Sequence, residues 1–458
     1  MQPVARFLNR VIYFSLLTTI VLTAIPYGTI QPWWVSLFDC VVFVIAMLAV
    51  VEATISKTLS LDLSLVAPLL ALVLFAVIQS LPLFSGPGPL TPTTSLSADP
   101  FSTRFFAIEL FALTLVVLLL QRYTSNQDRL RKLIYTIIAV GICSALFGII
   151  RQHFQQSPGF LLPALSTDGR GFGQFINKNH FALLLEMSLG LTLGLIVGEG
   201  ASRHRVLVLL PIGLLLWVAL IYSNSRGGIV ASLCQLLFLA VLLDPVRRLT
   251  KGRAGTSGSR LRHAAGGVAV RAFLIFCLIG LFAYGVGWIG GEPVVSNFQL
   301  AATDFSQQEM TNNINTSRRE IWSATWKMIK AHPVAGVGFG GYWIGITRYH
   351  QASGEITPQQ AHNDYLELMA SGGIVGCVLI AWFLVVVVRR ARWGLLSRPP
   401  FYRAAGLGAL TGIFGVAIHS FVDFGLHMTI NALVFLALIV IATQQDRVPN
   451  AREVATQE

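Results

Sequence analysis

The chain has 458 residues, of which 54% are hydrophobic and only 12% charged, with a mean hydropathy of +0.67 and a formal net charge of +12. A soluble domain carries about a quarter charged residues, so this composition excludes that class and indicates a polytopic membrane protein. The cationic excess does not point to nucleic acid, because Lys and Arg gather in the polar connections on one side of the predicted spans.

A membrane-crossing helix needs about 20 predominantly apolar residues. Twelve such runs are predicted, at 11–26, 34–52, 64–82, 104–121, 133–152, 181–198, 206–222, 228–246, 272–290, 372–388, 404–423 and 428–444. An even number returns both termini to one side. With both termini in the cytoplasm, 23 of the 33 Lys and Arg residues fall on the cytoplasmic side, in line with the positive-inside rule. The first run lacks a small-residue cleavage site and is followed by more spans, so it does not read as a removable signal. The five cysteines lie in apolar runs without metal-ligand spacing, which indicates neither a disulfide framework nor a zinc site. The expected fold is therefore an all-α polytopic membrane protein of about twelve spans. Residues 1–290 form a membrane domain of nine spans, 291–371 a long outer loop, and 372–458 three last spans with a cytoplasmic tail.

Along the chain, polar signals recur on the outer side. Glu109 and Glu186 lie inside apolar runs, where a carboxylate is costly and either pairs or is protonated. Asn177-Lys-Asn-His180 precedes the sixth span as a helix cap or as a binding element, with Asn179 and His180 as candidates. Ser223-Asn-Ser-Arg-Gly-Gly228 is a tight hairpin. Its Arg226 either snorkels to lipid headgroups or forks onto phosphate oxygens. The basic, Gly- and Ser-containing run 247–262 reads as a cytoplasmic loop that anchors topology.

Within the outer loop, Ser317-Arg-Arg-Glu320 reads as a capping box. It opens an amphipathic helix in which Trp322, Trp326 and Ile329 share a face and which stops near His332-Pro333. Arg318 and Arg319 in its first turn are surface charges or, with the helix N-terminus, an anion site. Gly336-Val-Gly-Phe-Gly-Gly341 formally matches a dinucleotide fingerprint but lacks the flanking strand, so a flexible turn is expected. Ala361-His-Asn-Asp-Tyr-Leu366 closes the loop, and the spacing predicts His362, Tyr365, Leu366 and Met369 on one helical face. A histidine is suited to accepting a proton near neutral pH. His419 and Asp423, four apart, are expected to hydrogen-bond each other, with His427 following.

The ordered set of Gly171-Phe-Gly-Gln-Phe-Ile-Asn-Lys-Asn-His-Phe-Ala182, Ser223–Gly228, Arg318 four before Trp322, His332-Pro-Val-Ala-Gly-Val-Gly-Phe-Gly340, Ala361–Leu366 and His419-Ser-Phe-Val-Asp-Phe424 resembles the O-antigen ligase and polymerase superfamily. The resemblance implies a GT-C-type helical glycosyltransferase architecture in the bacterial inner membrane, with a periplasmic active site. It implies an undecaprenyl-diphosphate-linked glycan as donor, and lipid A core or another glycan as acceptor. By motif match the catalytic histidine is His362, and the diphosphate arginines are Arg226 and Arg318, or its neighbour Arg319. Asn179, His180 and Tyr365 are further substrate-binding candidates. Asp304, Glu309, Glu355 and Asp364 are scattered, so a metal-independent, inverting transfer without cofactor is expected. Ligases, repeat-unit polymerases and relatives that glycosylate protein hydroxyls share these blocks. A secondary transporter or flippase is the competing class. The asymmetric outer insert, rich in Arg, His and Trp, and the lack of matching halves argue against it.

Overall fold

The computed structural model describes residues 2–25, 27–57, 62–83, 95–154, 171–198, 203–251, 318–350, 357–397 and 399–444. In chain order the helices are α1 (Gln2–Thr23), α2 (Pro32–Ser56), α3 (Val66–Ser80), α4 (Pro100–Tyr123), α5 (Gln127–His153), α6 (Lys178–Val197), α7 (Arg203–Tyr222), α8 (Arg226–Lys251), α9 (Arg318–Ala331), α10 (Tyr342–Gly345), α11 (Asp364–Ser397), α12 (Pro400–His419) and α13 (Thr429–Thr443). Among the described residues nine helices are long and apolar enough to cross a membrane, and α3 and α13 are shorter apolar helices. These cover eleven of the twelve predicted runs; the ninth, 272–290, lies outside the described residues.

Local chemistry sets the helix starts. Asp99 caps α4 by accepting from the Ser102 N–H, with Pro100 supplying a preset first φ. Asn126 and Asn177 cap α5 and α6 in the same way. The central helix is α6, buried on nearly every face. It meets α12 backbone to backbone: a Cβ added at Gly194 would sit 2.2 Å from the Gly408 Cα, and one at Gly190 2.5 Å from the Gly412 nitrogen. Small residues permit this approach, which drives helix association where apolar lipid offers no hydrophobic gain.

The amphipathic helix α9 stops at Ala331, as the His332-Pro333 pair predicts. Its buried face is Ile321, Ala324, Thr325, Met328 and Ile329, whereas Trp326 is exposed. Trp326 and Ile329 therefore do not share one environment as the spacing predicts. Ser317, the expected cap, lies outside the described residues.

The glycine-rich segment 336–341 is pinned, not flexible. Val337 and Gly338 donate backbone N–H groups to the Ala370 and Ser371 carbonyls at 2.9 and 3.0 Å. The Gln79 amide donates to the Ala335 and Ser371 carbonyls at 2.6 and 2.9 Å, and its oxygen accepts from Phe339 N–H at 3.2 Å. The Val337, Gly338 and Phe339 amides are thus already spent on α3 and α11. Phe339 stacks on Phe106 with centroids 4.9 Å apart, wedging the segment into the bundle. Opposite it α11 kinks at Gly373, whose φ of 58° and ψ of −158° only glycine adopts readily.

Candidate functional site

One turn, residues 419–427 between α12 and α13, gathers the polar motifs at a single end of the bundle. It holds the start of α11 through three bonds, with a fourth from the last turn of α12. Asp364 N–H donates to the Ser420 carbonyl at 2.9 Å, and Ser420 Oγ donates to Asp364 Oδ2 at 2.7 Å. The Asn363 amide donates to the Phe421 carbonyl at 2.9 Å, and the Tyr365 hydroxyl to the Ala417 carbonyl at 2.7 Å. Asn363 also caps α11, its oxygen accepting from the N–H groups of Tyr365 and Leu366.

His362 sits just before this helix, not on it. Its φ is +49°, in the left-handed region, so it does not share a face with Tyr365, Leu366 and Met369. That conformation costs a non-glycine residue about 1–3 kcal/mol. The preceding peptide is held from both sides: Ala361 N–H donates to Glu367 Oε2 at 2.8 Å, and the Ala361 carbonyl accepts from the Trp322 indole at 2.9 Å. Two such bonds contribute about 1 kcal/mol each, which is the size needed to offset the strain.

The turn aims His362 at a buried carboxylate. His362 Nδ1 faces Asp423 Oδ1 at 3.5 Å, and His180 Nε2 faces Asp423 Oδ2 at 3.7 Å. Asp423 is fully buried, and its oxygens have no closer partner among the described residues. Burial works against its ionisation, but the facing His362 imidazole and the neighbouring His180 and His419 outweigh it and hold the carboxyl below the usual carboxylate range. The His362 side chain is 36% exposed and the His180 side chain 5%. His362 can therefore reach a substrate, whereas His180 can act only through Asp423. The Phe424 ring stands edge-on to both imidazoles, with centroids 4.8 Å away in each case.

Asp423 N–H donates to the His419 carbonyl at 3.2 Å, but their side chains do not pair as expected. His419 Nδ1 instead pairs with Glu186 Oε1 at 2.7 Å, both side chains buried, so Glu186 finds its partner across α6 and α12. Glu109 accepts from the Thr429 hydroxyl at 2.8 Å. His427 Nε2 turns to Glu367 Oε1 at 3.2 Å.

The Ser223–Gly228 hairpin lies against the same turn. Ser225 Oγ accepts from Gly228 N–H, capping α8, and donates to Asn179 Oδ1 at 2.7 Å. Asn179 thus ties the start of α6 to the start of α8. A Cβ on Gly227 would come 2.8 Å from Val422 Cγ2 and 3.2 Å from His419 Nε2, so only glycine lets the hairpin pack this closely. Arg226 is the first residue of α8, half-buried beside this contact. Arg318 is exposed at the start of α9, one turn before Trp322. Arg319 follows it, its side chain outside the described residues.

Of the sequence candidates, His362, His180 and Tyr365 meet the 419–427 turn, and Asn179 and Arg226 join through the Ser223–Gly228 hairpin. Arg318 connects indirectly, through Trp322 and Ala361. Sequence reasoning missed the facing of Asp423 to His362 and His180, and the clamp formed by Trp322 and Glu367. The clamp's sequence signal, a tryptophan four after Arg318 and a glutamate five after His362, is too common to single out.

Residues 211–381 match the family model described as O-antigen ligase. The matched stretch runs from α7 through α8 and α9 into α11, and it supports membership of the O-antigen ligase superfamily. No match was found among curated proteins.

Proposed function

With an O-antigen ligase domain matched over residues 211–381, we propose that this chain transfers a glycan from a polyprenyl-diphosphate carrier to an acceptor hydroxyl at the outer face of the bacterial inner membrane. The carrier's diphosphate docks on Arg226 and on Arg318 with Arg319, which stabilise the leaving group electrostatically. His362 Nε2 accepts the proton of the acceptor hydroxyl as that oxygen attacks the anomeric carbon. The diphosphate leaves from the opposite face, so configuration inverts. The carrier is undecaprenyl diphosphate in this reading, and the acceptor is lipid A core.

The observation that carries the reading is the pairing of a half-exposed His362 with a buried carboxylate. With Nδ1 turned to Asp423, the proton on that nitrogen is fixed and Nε2 is left as the base. Separations of 3.5 and 3.7 Å exceed a hydrogen bond; such contacts commonly tighten when substrate binds. Asn179 positions the Arg226 hairpin, Tyr365 secures the start of α11, and His180 balances the second oxygen of Asp423.

The deciding experiment is the glycan profile of a deletion strain. Full-length polymer left on the lipid carrier identifies a ligase, and single repeat units identify a polymerase of the same superfamily. An unchanged profile overturns the transfer reading. In-vitro transfer in detergent separates an enzyme from a transporter, since transport has no product there.

Arg226→Ala and Arg318→Ala should each lower transfer by about 10²–10³-fold, the usual effect of removing one such stabilising donor. Lysine at either position should not restore it, because a point charge cannot replace the bidentate fork. Arg319→Ala should be milder; the reverse ranking would assign the second phosphate contact to Arg319.

The charge bias supports an orientation with both termini cytoplasmic. In a cysteine-free background, Lys327→Cys on the exposed side of α9 should react with an impermeant thiol reagent in intact cells. Lys57→Cys after α2 should react only once the membrane is opened. The opposite pattern would invert the topology.

A further inference from the structure

We propose that Trp322 and Glu367 are positioning residues that hold the Ala361 peptide so that His362 meets the acceptor hydroxyl, and that Trp322 thereby couples the arginine-bearing end of α9 to the base. The inference rests on the reading of His362 as base and adds the device that sets its position.

Three observations carry it. First, Ala361 is gripped through both of its backbone polar groups, one in each flanking peptide: the Glu367 carboxylate takes the N–H at 2.8 Å and the Trp322 indole gives its N–H to the carbonyl at 2.9 Å. Second, the next residue is His362, in the left-handed region at φ +49°. A strained residue keeps its direction only while its neighbours over-determine it. Third, the two grips come from different elements. Glu367 belongs to α11, whose start is tied to the 419–427 turn and hence to Asp423. Trp322 belongs to α9, where it lies one turn after Arg318. Ala361 is fully buried in a small core with Ala324, Met328 and Val337, so the peptide cannot find replacement partners in water. Glu367 Oε1 also faces His427 Nε2 at 3.2 Å, which fixes the carboxylate itself.

A one-ångström misplacement of a reacting group can cost about 10²-fold in rate. A lost grip should therefore appear in turnover, not in donor affinity. Trp322→Phe keeps a ring and removes the N–H. It should lower kcat by about 10–100-fold while leaving the donor KM within about twofold. Glu367→Leu should do the same, and Glu367→Gln, whose amide oxygen can still accept from Ala361, should recover most of that loss. Tm in detergent is recorded for each variant.

Unchanged kcat in folded Trp322→Phe overturns the proposal, as does a loss confined to KM. Equal loss in Glu367→Gln and Glu367→Leu overturns it too, because charge and not the hydrogen bond would then matter. Should Trp322→Phe fail to fold, the Glu367 pair decides alone. His362→Ala run alongside separates the two claims. If His362→Ala is active, the base assignment fails. If His362→Ala is inactive while Trp322→Phe and Glu367→Leu turn over normally, only the positioning inference fails.

Discussion

His362→Ala should abolish detectable glycan transfer while the protein remains folded and inserted. A positioned general base contributes about 10²- to 10⁴-fold, and His427, as exposed as His362, is turned instead to Glu367 Oε1 at 3.2 Å. His180 is buried behind Asp423, and His419 is buried against Glu186. Donor binding should survive, because in this mechanism the arginines and not the histidine carry the diphosphate. Since residue 362 has a left-handed backbone, His362→Asn is the companion variant: asparagine tolerates that region better than other residues with a side chain. It should match wild type in thermal stability and match alanine in inactivity. His332→Ala and His350→Ala serve as controls and should not approach the loss. The assay is transfer by purified wild-type and variant enzyme from one lipid-linked donor. Near-normal turnover by His362→Ala would remove the histidine from the chemistry and leave only electrostatic stabilisation by the arginines.

Asp423→Asn should be nearly as damaging, by about 10²–10⁴-fold in kcat, the range spanned when a buried carboxylate that orients a catalytic imidazole is neutralised. The carboxylate presents only acceptors to Nδ1–H, which leaves Nε2 as the free base, whereas an amide can turn its NH2 to that nitrogen and select the other tautomer. It also supplies the counter-charge to the imidazolium that forms during transfer, which an amide cannot. Thermal stability separates these from loss of structure. The folded-state carboxyl of Asp423 lies below the ordinary range. Its contribution to stability is therefore fully present above the unfolded value of about 3.9 and is lost only as pH falls through the lower folded value. Asp423 is thus ionised across the neutral range, and Asp423→Asn should lose kcat there while Tm in detergent and the donor KM stay near wild type. An activity loss matched by a loss of Tm would make Asp423 a structural residue only.

The span pattern was legible because lipid imposes a length and an apolarity that single helices must meet alone. The cap at Asn177 and the stop of α9 before His332-Pro333 are likewise local and were readable. What failed was partner choice. His419 and Asp423 are four apart, and helical spacing suggests that they meet. The helix ends at His419, which turns Asp423 toward α6 and α11 and leaves His419 to Glu186. His362 reads as a helical residue by periodicity, but the cap falls on Asn363 and leaves it outside. The glycine-rich segment reads as loose because sequence cannot reveal that Gln79, far upstream, takes up its backbone groups. The misses at His419, at Asp423 and in the glycine-rich segment concern which distant side chain arrives, information that no spacing within one segment contains; the miss at His362 is a local one, of a single residue in the helix start.

The pairing of Glu186 with His419 also bears on how the protein is made. A charged residue at the centre of a span costs about 2.5–3.5 kcal/mol on insertion, and α6 must enter the membrane carrying this one. Its partner lies 233 residues downstream, so at ordinary synthesis rates it arrives about 10–50 s later. For that interval α6 is a span with an unanswered carboxylate and a glycine face awaiting α12. Biogenesis is therefore expected to keep α6 close to the insertion machinery until the last third of the chain has been made, and arrested chains that stop before His419 should still crosslink α6 to that machinery.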